Sequence, residues 1–127
     1  ETEIHGLAKD QNVEDHVLFL GEREDIAELL KAMDVFLLPS LYEGLPIVAV
    51  EAQAANVKLV LSTEVSEDTV LSENVRFVPL DADLDRWEAE VMGEPKGNRP
   101  KPEMEAFDML KTAKALEKIY DATEGTA

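Results

Sequence analysis

DVFLLPSLYEGLPIVAVEAQAANVKLVLS, running from Asp34 to Ser62, is the stretch that decides the fold. Its opening, DVFLLPS, is a short apolar run stopped by Pro39, as expected of a strand buried on both faces of a sheet. Its close, KLVLS from Lys58 to Ser62, is another such run. Between them Pro46 suits the first position of a helix over 47–55, and Asn56 can take the left-handed conformation that ends one. Strand, helix and strand at this spacing make a βαβ unit, whose two strands lie parallel.

The same alternation continues on both sides. Upstream, HVLFLG reads as a strand ended by Gly21, and EREDIAELLKAM as a helix with Ile26, Leu29, Leu30 and Met33 on its apolar stripe. Asp25 suits its N-cap, and Glu28 three residues on would complete a capping box. Downstream, VRFVPL reads as a fourth strand and DADLDRWEAEVM as a helix with Asp83 near its cap. Three prolines and two glycines make GEPKGNRPKP, residues 93–102, a loop. A last helix is expected over 103–121, with Met104, Phe107, Leu110, Leu116 and Tyr120 on its buried side. The class is α/β with a parallel sheet, and ligands are expected at the carboxyl ends of its strands.

Composition narrows the function. A chain of 127 residues, 45% hydrophobic, makes one domain with one core. With no cysteine there is neither a disulfide framework nor a thiolate metal site, and a reducing cytoplasm is the compatible and expected location. His5 and His16 lack partners at ligand spacing, so no metal site is expected. The net charge of −16, from 28 acidic and 12 basic residues, argues against nucleic acid or an anionic membrane as partner. It also leaves any phosphate ligand short of cations. The most apolar region, 32–50, is broken by Asp34, Pro39, Glu43, Gly44 and Pro46 and cannot span a membrane. The opening Glu-Thr-Glu, without Met or a signal-like run, reads as part of something longer.

The turn at 40–46 is the candidate site. With Pro46 as first helical residue, Leu45 becomes the N-cap and offers no oxygen to the free N–H groups of the first turn. Gly44 lets a bound group approach the backbone, and the helix dipole adds partial positive charge, so the segment resembles an anion cradle. Glu51 lies among Ile47, Val48, Val50 and Ala54 and should lean toward the helix start, where it could accept hydroxyl hydrogen bonds; a solvated carboxylate on a half-buried helix is the plain alternative. Tyr42 is expected to pack rather than touch ligand, and Ser40 to cap the turn. The acids of STEVSEDT, 62–69, are expected to be solvated, and Arg23 to pair locally with its acidic neighbours.

AMDVFLLPSLYEGLPIVAVEAQAA resembles the core motif of the retaining glycosyltransferases of family 4, whose C-terminal domain carries Glu, seven residues, Glu. VLFLGEREDIAELLKAMD, VRFVPLDADLDRWEAEVM and FDMLKTAKALEKIYD are also typical of that family, so the resemblance spans most of the chain. It is closest to the bacterial capsule and exopolysaccharide branch. It implies that residues 1–127 are part of the C-terminal, nucleotide-sugar-binding domain of an enzyme with two Rossmann-like domains. Glu43 matches the glutamate that contacts the donor sugar near the reacting centre. Gly44 and Leu45 match the turn whose backbone N–H groups hold the donor phosphates, and Glu51 matches the glutamate that binds ribose hydroxyls. No cofactor is implied, because the nucleotide-sugar is a substrate. The acceptor, a saccharide or lipid-linked sugar, would be held mainly by an N-terminal domain, at the inner membrane face.

The chain also departs from the family. That domain begins with two strands before HVLFLG, one bearing the basic residues that neutralise the diphosphate, and they are not in this sequence. In the order 3-2-1-4-5-6 they would stand at the sheet's centre. Without them HVLFLG is expected to pair with DVFLLPS, to detach, or to meet a second chain, so self-association through open strand edges is a further expectation. A non-catalytic nucleotide-binding or interaction module of the same fold is the rival reading. A flavodoxin-like or receiver domain finds neither a flavin loop nor an acidic cluster with a lysine partner.

Overall fold

The computed structural model describes residues 2–96; the expected helix at 103–121 and the loop from 97 onward lie outside the described residues. Three strands, β1 (Val35–Leu38), β2 (Lys58–Ser62) and β3 (Val75–Val78), form a parallel sheet in the order β1-β2-β3. Val35 is in register with Lys58, and Leu59 with Val75. Helices α1 (Thr2–Asp10), α2 (Ile26–Lys31), α3 (Ile47–Ala54) and α4 (Leu84–Met92) flank it, with 3-10 turns at Glu14–His16 and Glu67–Thr69. The α/β class and the βαβ unit at 34–62 are therefore as read.

All five residues of β2 are buried. The pleat alternates them: Leu59 and Leu61 join Leu30, Ala49, Ala52, Val57 and Val65 in the core under α2 and α3. Burying each such leucine stabilises the fold by about 1.5–3 kcal/mol. Lys58, on the alternate side of the pleat, donates from Nζ to the carbonyls of Glu90, Val91 and Gly93 and so holds the C-terminus of α4. All three ammonium hydrogens are used, on carbonyls that have no partner within the helix. Arg76 of β3 donates to the Glu73 and Val75 carbonyls, with Glu90 3.9 Å from its Nε. Asp83 caps α4 by accepting from the Arg86 N–H at 2.9 Å, as its position suggested.

Several expectations are corrected. HVLFLG is not a strand. After the turn at Glu14–His16 it runs on without a ladder to β1, and Leu18 is 85% exposed. Phe19 instead stacks on His5 of α1, ring centroids 3.6 Å apart, and Gly21 (φ +63°) turns the chain toward α2. Of the three outcomes foreseen for this segment, detachment is the one seen. Among the described residues β1 consequently has an open edge, and it is not buried on both faces, Leu37 being 48% exposed. Helix α1 was not foreseen, since it carries few apolar residues and buries only Ala8 among its side chains described.

The capping box at α2 does not form. Asp25 occupies the N-cap but makes no capping bond, because Arg23 takes both its oxygens, at 2.6 and 2.5 Å. The local pairing expected of Arg23 is thus what competes with the cap. At α3, Pro46 is the N-cap (φ −70°, ψ 116°), not the first helical residue, which moves Leu45 one place outside the helix. Asn56 does end α3 in the left-handed region, φ +63°. Its N–H donates to the Gln53 carbonyl and that of Val57 to Ala52, a Schellman closure.

Candidate functional site

The carboxyl ends of β1 and β2 are joined by backbone. Ser62 Oγ donates to the Ser40 carbonyl at 2.5 Å, tying the end of β2 to the loop that follows β1. Three residues on, Glu43 forms a parallel bridge with Val65. The Glu43 N–H donates to the Glu64 carbonyl at 3.3 Å, and the Ser66 N–H donates to the Glu43 carbonyl at 3.0 Å. Glu43 is thereby held through both its backbone groups, while its half-buried side chain is left to the surface.

The next residues lead into α3. A Cβ built on Gly44 would meet no atom within 4 Å, so the space in front of this turn is open and no close packing of the chain demands glycine. Pro46 closes the turn and caps the helix without a side-chain oxygen. Its carbonyl accepts from Ala49 (3.0 Å) and Val50 (3.4 Å), which leaves the N–H groups of Ile47 and Val48 ahead of the first intrahelical bond. The uncapped helix start that the sequence suggested is present, shifted by one residue. Donors of this kind, at the positive end of a helix dipole, suit an anion.

Glu51 is placed apart from that turn. It is exposed and borders a groove of about 290 Å³ between α2 and α3, lined also by Ala27, Leu30, Lys31, Ala54 and Ala55. Four residues into α3, it stands about 6 Å along the axis from Ile47. Glu43, Gly44 and Leu45 are not among the groove's walls. Tyr42 is 83% exposed beside Glu43, so the expected packing of its ring does not occur. Leu41, Leu45 and Ile47 are exposed with it. Arg23, Lys58 and Arg76 are each engaged with partners of their own.

Residues 1–79 match the family described as Glycosyl transferases group 1. The chain belongs to that family. Relatives of this chain include EpsF of Bacillus subtilis (strain 168), a protein carried under a glycosyltransferase name. It is 41% identical over 103 residues, 80% of this chain and 27% of that protein. The UDP-Gal:alpha-D-GlcNAc-diphosphoundecaprenol alpha-1,3-galactosyltransferase of Escherichia coli is 47% identical over 53 residues, 42% of this chain and 14% of its own. The Vi polysaccharide biosynthesis protein VipC/TviE of Salmonella typhi is 40% identical over 58 residues, 46% of this chain and 10% of its own. The chain spans about a quarter or less of the length of these relatives. No solved structure matches it.

In this family member the residues that hold the turn were the ones sequence reasoning missed. Gln53 is 1% exposed, yet lies in an apolar helix with nothing beside it in sequence to mark a role. Its Nε2 donates to the carbonyls of Ala49 (3.0 Å) and Thr69 (2.7 Å), and its Oε1 accepts from the Leu71 N–H (2.7 Å). Ser66 caps the turn at 67–69 by accepting from the Asp68 N–H. The legible signal was STEVSEDT as a post-strand loop; its serines, not its acids, do the holding. Among the described residues no group of three or more His, Cys, Asp or Glu could hold a metal ion, and no helix is long and apolar enough to cross a membrane.

Proposed function

We propose that the chain is part of the donor-binding domain of a retaining, family 4 type glycosyltransferase in polysaccharide biosynthesis. Glu51 accepts hydrogen bonds from the ribose hydroxyls of a nucleotide-sugar. The turn at Gly44, Leu45 and Pro46, with the first N–H groups of α3, receives the diphosphate. Glu43 faces the sugar. In the reaction the bond from the anomeric carbon to the diphosphate oxygen breaks, the acceptor oxygen bonds to that carbon on the same face, and the acceptor hydroxyl proton passes to the departing diphosphate oxygen. Glu43 steadies the positive charge that builds on the sugar, and the helix start steadies the departing diphosphate.

The observation that carries the reading is the arrangement along α3: a carboxylate held by its backbone before the helix, an uncapped start with open space at Gly44, and an exposed carboxylate about 6 Å further on. A nucleoside diphosphate spans such a distance with its ribose at one end and its phosphates at the other. The E. coli relative is named for an alpha linkage, the outcome of retention when the donor is itself alpha-linked. The acceptor is a lipid-linked or free saccharide held outside this chain, and the protein works in the cytoplasm, at the inner membrane face. Calorimetric titration with UDP tests the binding half: Glu51→Ala should weaken affinity about tenfold, the loss of charge-assisted hydrogen bonds. Equal affinity in both proteins would sink the assignment of Glu51.

A further inference from the structure

We propose that Gln53 is a positioning residue, which sets Glu43 against Glu51 by clamping the loop after β2 to α3. The inference rests on the reading of those two glutamates as donor contacts. Covalently, Glu43 reaches α3 through Gly44, Leu45 and Pro46. A second path returns to the same helix through hydrogen bonds: Glu43 to Ser66 and Glu64, Ser66 to Asp68 and Thr69 within one tight turn, then Thr69 and Leu71 to Gln53. Gln53 is two residues from Glu51, so the path closes a ring that begins and ends on α3.

The side chain is suited to that task. Gln53 is nearly sealed from solvent, and its amide is satisfied on both oxygen and nitrogen. Without it the Thr69 carbonyl and the Leu71 N–H lose buried partners, and a loop that must repack to find new ones takes Val65 and Ser66 with it. The bridge pairing Glu43 with Val65, made by the Glu43 bonds to Glu64 and Ser66, is where the hydrogen-bonded path of this ring reaches the proposed sugar contact. A core of plain apolar residues at this point would bury as much surface and leave the loop without a fixed place on α3.

The test is amide hydrogen exchange on the full chain, with Gln53→Met replacing the amide by an apolar group of similar length. Ser66 and Glu43 should exchange about tenfold faster in the variant, while Val60 and Leu61 of β2 keep their rates. A proportionate rise in all four, or none, would overturn the proposal. Native-state exchange of the unaltered chain gives a measurement that does not depend on the variant folding: Leu71, Ser66 and Glu43 should open as one unit, and independent opening of Leu71 counts against the clamp. Chemical-shift titration links this to the donor. UDP-galactose should perturb Gly44 beyond what UDP does in the unaltered chain, and this excess should vanish in Gln53→Met. Its persistence overturns the role of Gln53 alone. Absence of binding by the unaltered chain overturns the reading of the site and, with it, that role.

Discussion

Glu43 and Glu51 show how one residue type divides by its surroundings. Glu43 is fixed through its backbone and Glu51 through the helix it rides on, so neither needs its carboxylate for the fold. In a longer protein competent for transfer, Glu43→Gln should therefore lower kcat by about a hundredfold or more while leaving donor KM nearly unchanged. Steady-state kinetics with a nucleotide-sugar would show it; a KM effect alone would assign Glu43 to binding. Arg23 and Asp25 make a separate prediction. The hydrogen bonds from Arg23 hold the Asp25 carboxyl below its ordinary value. Its folded pKa thus lies under the unfolded one, so the pair favours the fold above the unfolded pKa, and that contribution is lost as pH falls through the folded value. NMR titration should find Asp25 returning to the usual carboxylate range in Arg23→Gln. At this scale the Arg23 pairing was legible from its acidic neighbours in sequence. Gln53 and Ser62 were not, because their partners are backbone groups far along the chain.

Among the elements, β2, α3 and α4 were readable because each carries its own signals: an unbroken apolar run, a proline before and an asparagine after, an aspartate cap. HVLFLG misled because an apolar run reports burial on average and not the presence of a neighbour to pair with. The capping box failed for a related reason, since a second donor two residues away outcompeted the backbone for Asp25. Lys58 carries a clear test. Lys58→Met keeps the stem and removes three hydrogen bonds from the end of α4, and should cost about 1–3 kcal/mol in urea unfolding. Asp83→Ala at the other end of α4 should cost about 1 kcal/mol. If Lys58→Met is neutral, α4 is held by packing on β3 and the buried ammonium is incidental.

As a whole molecule the chain carries a net charge of −16, and among the described residues β1 has an open edge while Arg23, Lys58 and Arg76 are engaged with partners of their own. We expect no sugar transfer by this chain alone, since on the proposed reading the acceptor and the cations for the diphosphate come from elsewhere. Robust turnover in a donor-consumption assay would contradict that. The most direct measurement is a two-dimensional NMR titration of the full chain with UDP, followed amide by amide. Saturable shifts centred on Gly44, Leu45, Ile47 and Glu51 are expected. Shifts centred instead on the cleft that His5, Lys9, Glu14, Asp15 and Phe19 line beside α1, or no saturable shifts anywhere, would contradict it.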